Sequence, residues 1–271
     1  MLSTPDLLQD VLLDVPRVML RDLERYVIFA VSVWLVLWVL LRGPLRHRKV
    51  RAETPPGAQL ATEFLVSVRS VAIFSVVLIV PDTAHALGWR PWAGLEVQMT
   101  EWYWVASATA LILLGHDAYF YWMHRVIHRP RLFRRWHRRH HRSNNPSPFT
   151  AYSFDLREAA AEVGYFAAWP LLLPEPGSAT LYAVLIQLLV NTVHHSGYEL
   201  MPARADGRPL LGWLTTTVHH DLHHRRAAYN FGLYLTFWDR VMGTEDPIYE
   251  AEFARVVGQR RAAGPGAAVA A

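Results

Sequence analysis

Five stretches of the chain are apolar on every face. They show neither the alternation of a half-buried strand nor the narrow stripe of a surface helix. They fall at residues 26–41, 60–80, 103–123, 159–173 and 179–193. Uniform runs near twenty residues match the hydrocarbon thickness of a bilayer, so each predicts a membrane-spanning helix. The fourth is short for a crossing and fits a re-entrant segment equally well. Pro55, Pro56 and Gly57 break the chain before the second run, and Pro-Glu-Pro-Gly at 174–177 predicts a tight hairpin between the last two. Residues 82–102 hold Trp89, Trp92 and Trp102 among Gly and Pro, the pattern of an interfacial loop with an aromatic belt. Arg69 lies inside the second run and requires a partner or a polar pocket there, with Glu63 as the nearest carboxylate.

Charge sets the orientation. Basic residues cluster at 42–51, 125–142 and 204–226, and loops rich in Arg and Lys stay on the cytoplasmic side. Five crossings with the N-terminus outside satisfy all three clusters; four crossings, with one run dipping into the interface, serve nearly as well. Asp6, Asp10 and Asp14 precede the first run, where a secretory signal would carry basic residues. The expected fold is therefore an all-α integral membrane protein with four to five transmembrane helices and a cytoplasmic helical cap. Residues 1–104 form the N-terminal spans and interfacial loop, 105–250 the catalytic part, and 251–271 a tail whose end, 264–271, is expected to be disordered. Lys49 is the only lysine, and the weight of arginine and alanine points to a bacterial source, hence a bacterial inner membrane.

Composition then restricts the chemistry. With no cysteine among 271 residues, disulfides and thiolate metal sites are excluded, so any metal is held by nitrogen and oxygen. Histidine is abundant instead, with 14 in the chain. Most fall in four groups: His124 and His128; His137, His140 and His141; His194 and His195; and His219, His220, His223 and His224. Spans three and five both end in histidines at the cytoplasmic surface. On a helix, positions i, i+3 and i+4 share a face, so each His-x-x-His-His is expected to present three imidazoles to a common point. Eight convergent imidazoles exceed the four positions of a structural zinc site and suit two metals. Imidazole binds Fe, Zn, Cu and Ni alike. The chain lacks the His-Glu-x-x-His of zincin proteases and the Glu-x-x-His of ferritin-like carboxylate sites.

The order His-Arg-Val-Ile-His (124–128), His-Arg-Arg-His-His (137–141), His-Asp-Leu-His-His (220–224) resembles the fatty acid hydroxylase/sterol desaturase superfamily of membrane histidine-box enzymes. The lead-in of Asp117, Tyr121, Trp122, His124 and Arg125 is similar to that family's, as is the closing run of Asn230, Phe231, Gly232, Trp238, Asp239, Gly243 and Thr244. The resemblance covers roughly residues 105–250. It implies an O2-dependent di-iron enzyme that hydroxylates or desaturates an unactivated C–H bond of a lipid such as a sterol, fatty acyl or sphingoid chain, carotenoid or alkylglycerol. It implies as metal ligands His124, His128, His137, His140, His141, His220, His223 and His224, with His194 or His195 added from between the last two boxes. Zinc is the expected substitute for iron in a sample prepared in air. Asp117, His219 and Asp239 are expected to support ligand imidazoles through hydrogen bonds, and Asp155, Glu158 and Glu199 have weaker claims of the same kind. The partners implied are a membrane lipid and an external electron donor such as a ferredoxin or a cytochrome b5-like protein drawn to the basic surface; nucleic acid is not among them.

Two other classes compete. A zinc-dependent membrane hydrolase would work without O2 and would place a carboxylate beside the metal, with Glu199 and Asp221 the nearest in sequence. A non-enzymatic metal-binding or transport protein would string its ligands along the spans, whereas here they gather at one membrane face. His47 and His85 stand alone and read as surface residues, and His116, two turns before His124, as a packing residue.

Overall fold

The computed structural model describes residues 4–89, 91–92, 101–174, 176 and 178–262. Nine α-helices occur among them, with no β-strand beyond isolated bridges such as Lys49 to Tyr198. Helix α1 (Thr4–Trp34) continues as one π-helical stretch, Leu35–Leu40. It begins well before the first apolar run and passes through Pro16. Helix α2 (Gly57–Ala86) runs through Pro81 and absorbs the start of the expected interfacial loop. Residues 93–100 of that loop, two residues of the expected 174–177 hairpin and the 264–271 tail lie outside the described residues. Helix α3 (Trp102–Ile127) carries the third run, α5 (Leu156–Leu172) the fourth and α6 (Ala179–His194) the fifth. The short helix α4 (Pro130–Trp136) lies between α3 and α5.

Two helices are long and apolar enough to cross a membrane: Leu13–Leu40, and α2. Only 17% and 33% of their most apolar windows are buried, whereas a core helix of that composition in a soluble protein would be covered. Leu35, Val39, Leu65, Val76, Leu111 and Leu114 all point outward, the arrangement expected of a lipid-facing surface.

Helix α2 packs on α1 and α5, and α3 packs on α6. Helices α1, α2, α5 and α6 share an interior cluster of Tyr26, Val71, Phe74, Tyr152, Phe154, Val163 and Leu188. Arg69 reaches the carbonyl of Phe154 (2.5 Å) rather than Glu63. Glu63 accepts from Gln59 (2.6 Å) and Ser147 (2.5 Å). Beyond the bundle, α7 (Thr217–Arg226), the single-turn α8 (Phe237–Val241) and α9 (Tyr249–Ala262) form the polar part of the chain. Residues 251–262, expected as the start of a tail, are helical instead: Phe253 and Val256 are fully buried against Val218 and Leu222 of α7.

The segment after α1 is strapped to the segment after α6. Trp38 Nε1 donates to Ser196 O (2.8 Å), Val50 N to Gly197 O (2.9 Å), Glu199 N to Arg48 O (2.9 Å) and Arg48 Nη1 to Met201 O (3.0 Å).

Candidate metal centre

Four pieces of the chain deliver imidazoles to one end of the bundle. His124 sits in the last turn of α3, and His128 is its C-cap. Pro130 opens α4, a position that suits its fixed φ and missing N–H. His137 ends α4 with φ −131°, and a 3-10 turn over His140–Arg142 follows. His195 is the C-cap of α6. Thr216 caps α7 by accepting from His219 N (3.2 Å), and the helix stops at Ala227 with φ 52°.

The ring nitrogens gather in two groups, each with its donor atoms within 4.8 Å of one another: His124, His128, His137, His141 and His223; and His140, His195, His220 and His224. In the first, the Nε2 atoms of His124 and His137 are 3.0 Å apart, those of His137 and His141 3.1 Å, and those of His141 and His223 3.1 Å. In the second, His195 Nε2 lies 2.9, 3.2 and 3.3 Å from those of His220, His224 and His140.

Neither His-x-x-His-His therefore converges on a single point, contrary to the expectation from spacing. On α7, successive residues turn by about 100°, so His220 and His224 look one way while His223 looks toward the other group. His137, His140 and His141 are not on one helix at all. The turn sends His137 and His141 to the first group and His140 to the second.

The outer nitrogens fix the tautomers. His124 Nδ1–H donates to Phe231 O (2.9 Å), His137 Nδ1–H to Glu158 Oε1 (2.5 Å), His223 Nδ1–H to Tyr229 O (2.7 Å) and His195 Nδ1–H to Asn191 O (2.7 Å). Burial, reinforced by neighbouring imidazoles, holds His137, His140, His220 and His224 well below the ordinary histidine range. It brings His141 down to about 2, His195 to about 3 and His223 to about 4. Neutral rings with the proton on Nδ1 turn bare lone pairs inward. His124 and His137 then face each other at 3.0 Å with no proton to share, an arrangement that a cation reconciles and nothing else nearby does. The spacing also fits. At metal–nitrogen bonds of about 2.1 Å, adjacent donors lie about 3.0 Å apart around an octahedral ion and about 3.4 Å around a tetrahedral one.

His194, expected as an alternative ligand, joins neither group. It faces an apolar cavity with Leu113, Val190 and Tyr234, because the last turn of α6 directs it away from His195. Asp117 and Asp239 touch no imidazole of either group. Asp117 accepts from Tyr234 N (3.1 Å) and Leu235 N (3.0 Å), while Asp239 accepts from Phe231 N (2.9 Å), Gly232 N (2.8 Å) and Thr244 Oγ1 (2.8 Å). Both brace the loop whose Phe231 carbonyl orients His124. His219 is fully buried outside the groups, 3.6 Å from Asp239 and edge-on to Tyr249. His116, fully buried in α3, meets the Tyr234 hydroxyl at 2.8 Å. The carboxylate that does orient an imidazole is Glu158, at the start of α5 and 1% exposed. Its sequence signal was faint, one of several acidic residues at the start of an apolar run, 21 positions after its partner. Glu199 caps Val218 N (2.9 Å), and Asp221 pairs with Arg51 (2.6 Å) and Arg225 (3.0 Å) on the outer side of α7.

The family model described as fatty acid hydroxylase matches residues 109–244, which contain every residue of both groups. Among curated proteins, a Delta(7)-sterol 5(6)-desaturase of Gibberella zeae is 26% identical over 55% of this chain and 47% of its own length. Methylsterol monooxygenase 1 of Rattus norvegicus is 28% identical over 55% and 50%. A very-long-chain aldehyde decarbonylase of Oryza sativa subsp. indica is 28% identical over 53% and 25%. The chain thus spans half or less of these relatives' lengths. No solved structure is a significant match.

Proposed function

Because the chain belongs to the fatty acid hydroxylase family, we propose that it is an integral-membrane, O2-dependent oxidoreductase that hydroxylates or desaturates an unactivated C–H bond of a lipid. The observation that carries this reading is the pair of adjacent all-imidazole donor sets, five and four strong, with the lone pairs of His124, His137, His195 and His223 turned inward. Two iron ions held there would supply the oxidising power, drawing on O2 and two external electrons. The protein's part is to hold the donors, exclude water and present a lipid carbon. Sets of five and four leave each ion short of six ligands, which accommodates an exogenous one. Glu158 keeps His137 in the tautomer that can ligate, and the Phe231, Tyr229 and Asn191 carbonyls do the same for His124, His223 and His195.

The hydrolase alternative finds no support in the geometry. Glu199 and Asp221 are committed to capping and ion pairing away from the donors, and Glu158 to His137. In our reading four to five crossings place the centre at the cytoplasmic face of a bacterial inner membrane. Arg129, Arg131, Arg134, Arg135 and Arg138 are exposed on and around α4, next to the first group. They suit an acidic electron donor of the ferredoxin or cytochrome b5 type, and reduction by such a donor should slow as salt is raised.

The test is anaerobic purification with metal analysis, expecting two irons per chain, followed by lipid extracts from cells carrying the wild type or His140→Ala. A lipid that lacks one oxygen, or retains two more hydrogens, in the variant identifies the reaction. Lipid turnover that proceeds without O2 and reductant would refute it.

A further inference from the structure

A 570 Å³ cavity opens where Leu13–Leu40 ends, the first of the two helices long and apolar enough to cross a membrane. Trp38 and Tyr198, packed edge to face at 5.8 Å, line it together with Arg42, Arg46 and Lys49. No carboxylate is among its lining residues, and none of them belongs to either histidine group. Lys49 is held in place: its ammonium donates to Thr54 Oγ1 (2.9 Å) and lies 5.2 Å from the centre of the Trp38 ring. Burial, and after it the charge of Arg42, keeps Lys49 below the ordinary lysine range, with the exposed Glu53 opposing more weakly. Among the described residues, the side chains of Arg42 and Arg46 form no hydrogen bond and no ion pair. The Tyr198 hydroxyl has no hydrogen-bond partner among them either, although the residue is 2% exposed and its phenol feels the charge of Arg42. Three cations crowded around one space repel one another, and an idle phenol in a buried residue is a donor without an acceptor. An anion with several oxygens satisfies all four groups, since a phosphate takes an arginine fork, an ammonium and a hydroxyl at once. Beside the cavity the side chains of Val36, Val39 and Leu40 are exposed, an apolar surface leading away from the charges.

We propose that this cavity binds the phosphate of an anionic phospholipid, held by Arg42, Arg46, Lys49 and the Tyr198 hydroxyl. The acyl chains of that lipid run along Val36, Val39 and Leu40. The site is a second lipid site, independent of which lipid is oxidised at the histidine groups. It differs from the diffuse attraction of any basic loop to a membrane in that position decides: these three cations matter, and equal charges elsewhere do not.

Calorimetric titration of short-chain lipids into the metal-loaded protein, in non-ionic detergent and without O2, tests the site apart from any turnover. Dioctanoyl-phosphatidylglycerol is expected to bind at least about fivefold more tightly than dioctanoyl-phosphatidylcholine, whose choline cancels the net charge. It should exceed dioctanoylglycerol, which has no phosphate, by at least as much. Each cation near a membrane surface contributes about fivefold to the affinity for an anionic lipid. Arg42→Gln/Arg46→Gln should therefore bind phosphatidylglycerol about 25-fold more weakly. Arg131→Gln/Arg134→Gln removes the same charge from the exposed face of α4 and should leave that affinity unchanged. Equal losses in the two double variants would reduce the effect to diffuse attraction and overturn the site. So would phosphatidylcholine or dioctanoylglycerol binding the wild type as tightly as phosphatidylglycerol, a comparison that needs no variant to fold. Inorganic phosphate that displaces the lipid at equal concentration would make this a free-phosphate site and overturn the assignment to a lipid.

Discussion

Replacing Glu158 isolates the contribution of one buried hydrogen bond to metal binding. Its carboxylate takes the Nδ1–H of His137 at 2.5 Å, and the two side chains are 1% and 2% exposed. Solvent therefore cannot replace the bond, and no second acceptor for His137 Nδ1 exists among its described hydrogen bonds. Hydrogen bonds to a charged group contribute roughly 1.5–3 kcal/mol. At about 1.4 kcal/mol per factor of ten, Glu158→Leu should weaken metal binding at the first group by about 10- to 100-fold. Glu158→Gln keeps a carbonyl acceptor without the charge and should fall between. The second group, His140, His195, His220 and His224, makes no contact with Glu158 and should keep its affinity. Anaerobic titration against a metal-binding dye resolves the two: the variant's isotherm should split into one unchanged and one weakened step. An unchanged two-metal isotherm for Glu158→Leu would refute the argument that this carboxylate holds His137 in its ligating tautomer.

Three further outcomes follow from the geometry. His195→Ala should lower bound metal toward one ion per chain, whereas His194→Ala should leave metal content unchanged, as elemental analysis of both proteins would reveal. Metal-free protein should lose stability on acidification: His195 and His223 are held down to about 3 and about 4 in the fold, so below the ordinary pKa of 6.5 protons bind the unfolded chain preferentially. Between pH 6.5 and pH 5 that amounts to roughly 2 kcal/mol per imidazole, and a chelated sample whose Tm stays constant over this range would contradict it. Gly232→Ala should destabilise the protein by about 1–3 kcal/mol in thermal melts, since a Cβ there would stand 2.7 Å from Leu235 O and 2.9 Å from Asp239 Oδ2.

What could be read from the sequence follows from the range of each interaction. All five apolar runs became helices, the last three within a few residues of both expected ends, because uniform hydrophobicity is a local property. The third run ended four residues later than expected, carrying His124 into the helix proper. The gathering of the histidine boxes at one end of the bundle was legible from residue type and repetition. Their division between two groups was not, since it depends on where α4 stops and a 3-10 turn begins, and on the rotation of α7 relative to both. Likewise His194 and His195 are equivalent in sequence, and only the angle at which α6 ends separates them. Asp117 and Asp239, from the lead-in and closing runs, were expected at ligand imidazoles. They instead satisfy backbone N–H groups of the 231–235 loop, which has no periodicity to announce itself.

The strap of four hydrogen bonds between residues 38–50 and 196–201 bears on how the polypeptide can be cut. The part covered by the family match starts at residue 109 and looks self-contained in sequence. Yet His195 stands directly before the strapped segment, and Arg51 anchors α7 through Asp221. A fragment starting near residue 105 would expose those backbone groups and lose the scaffold that aims His195 and the α7 histidines. The two halves are thus one folding unit. Transplanting the histidine-bearing half onto other membrane anchors would require carrying the first sixty or so residues with it.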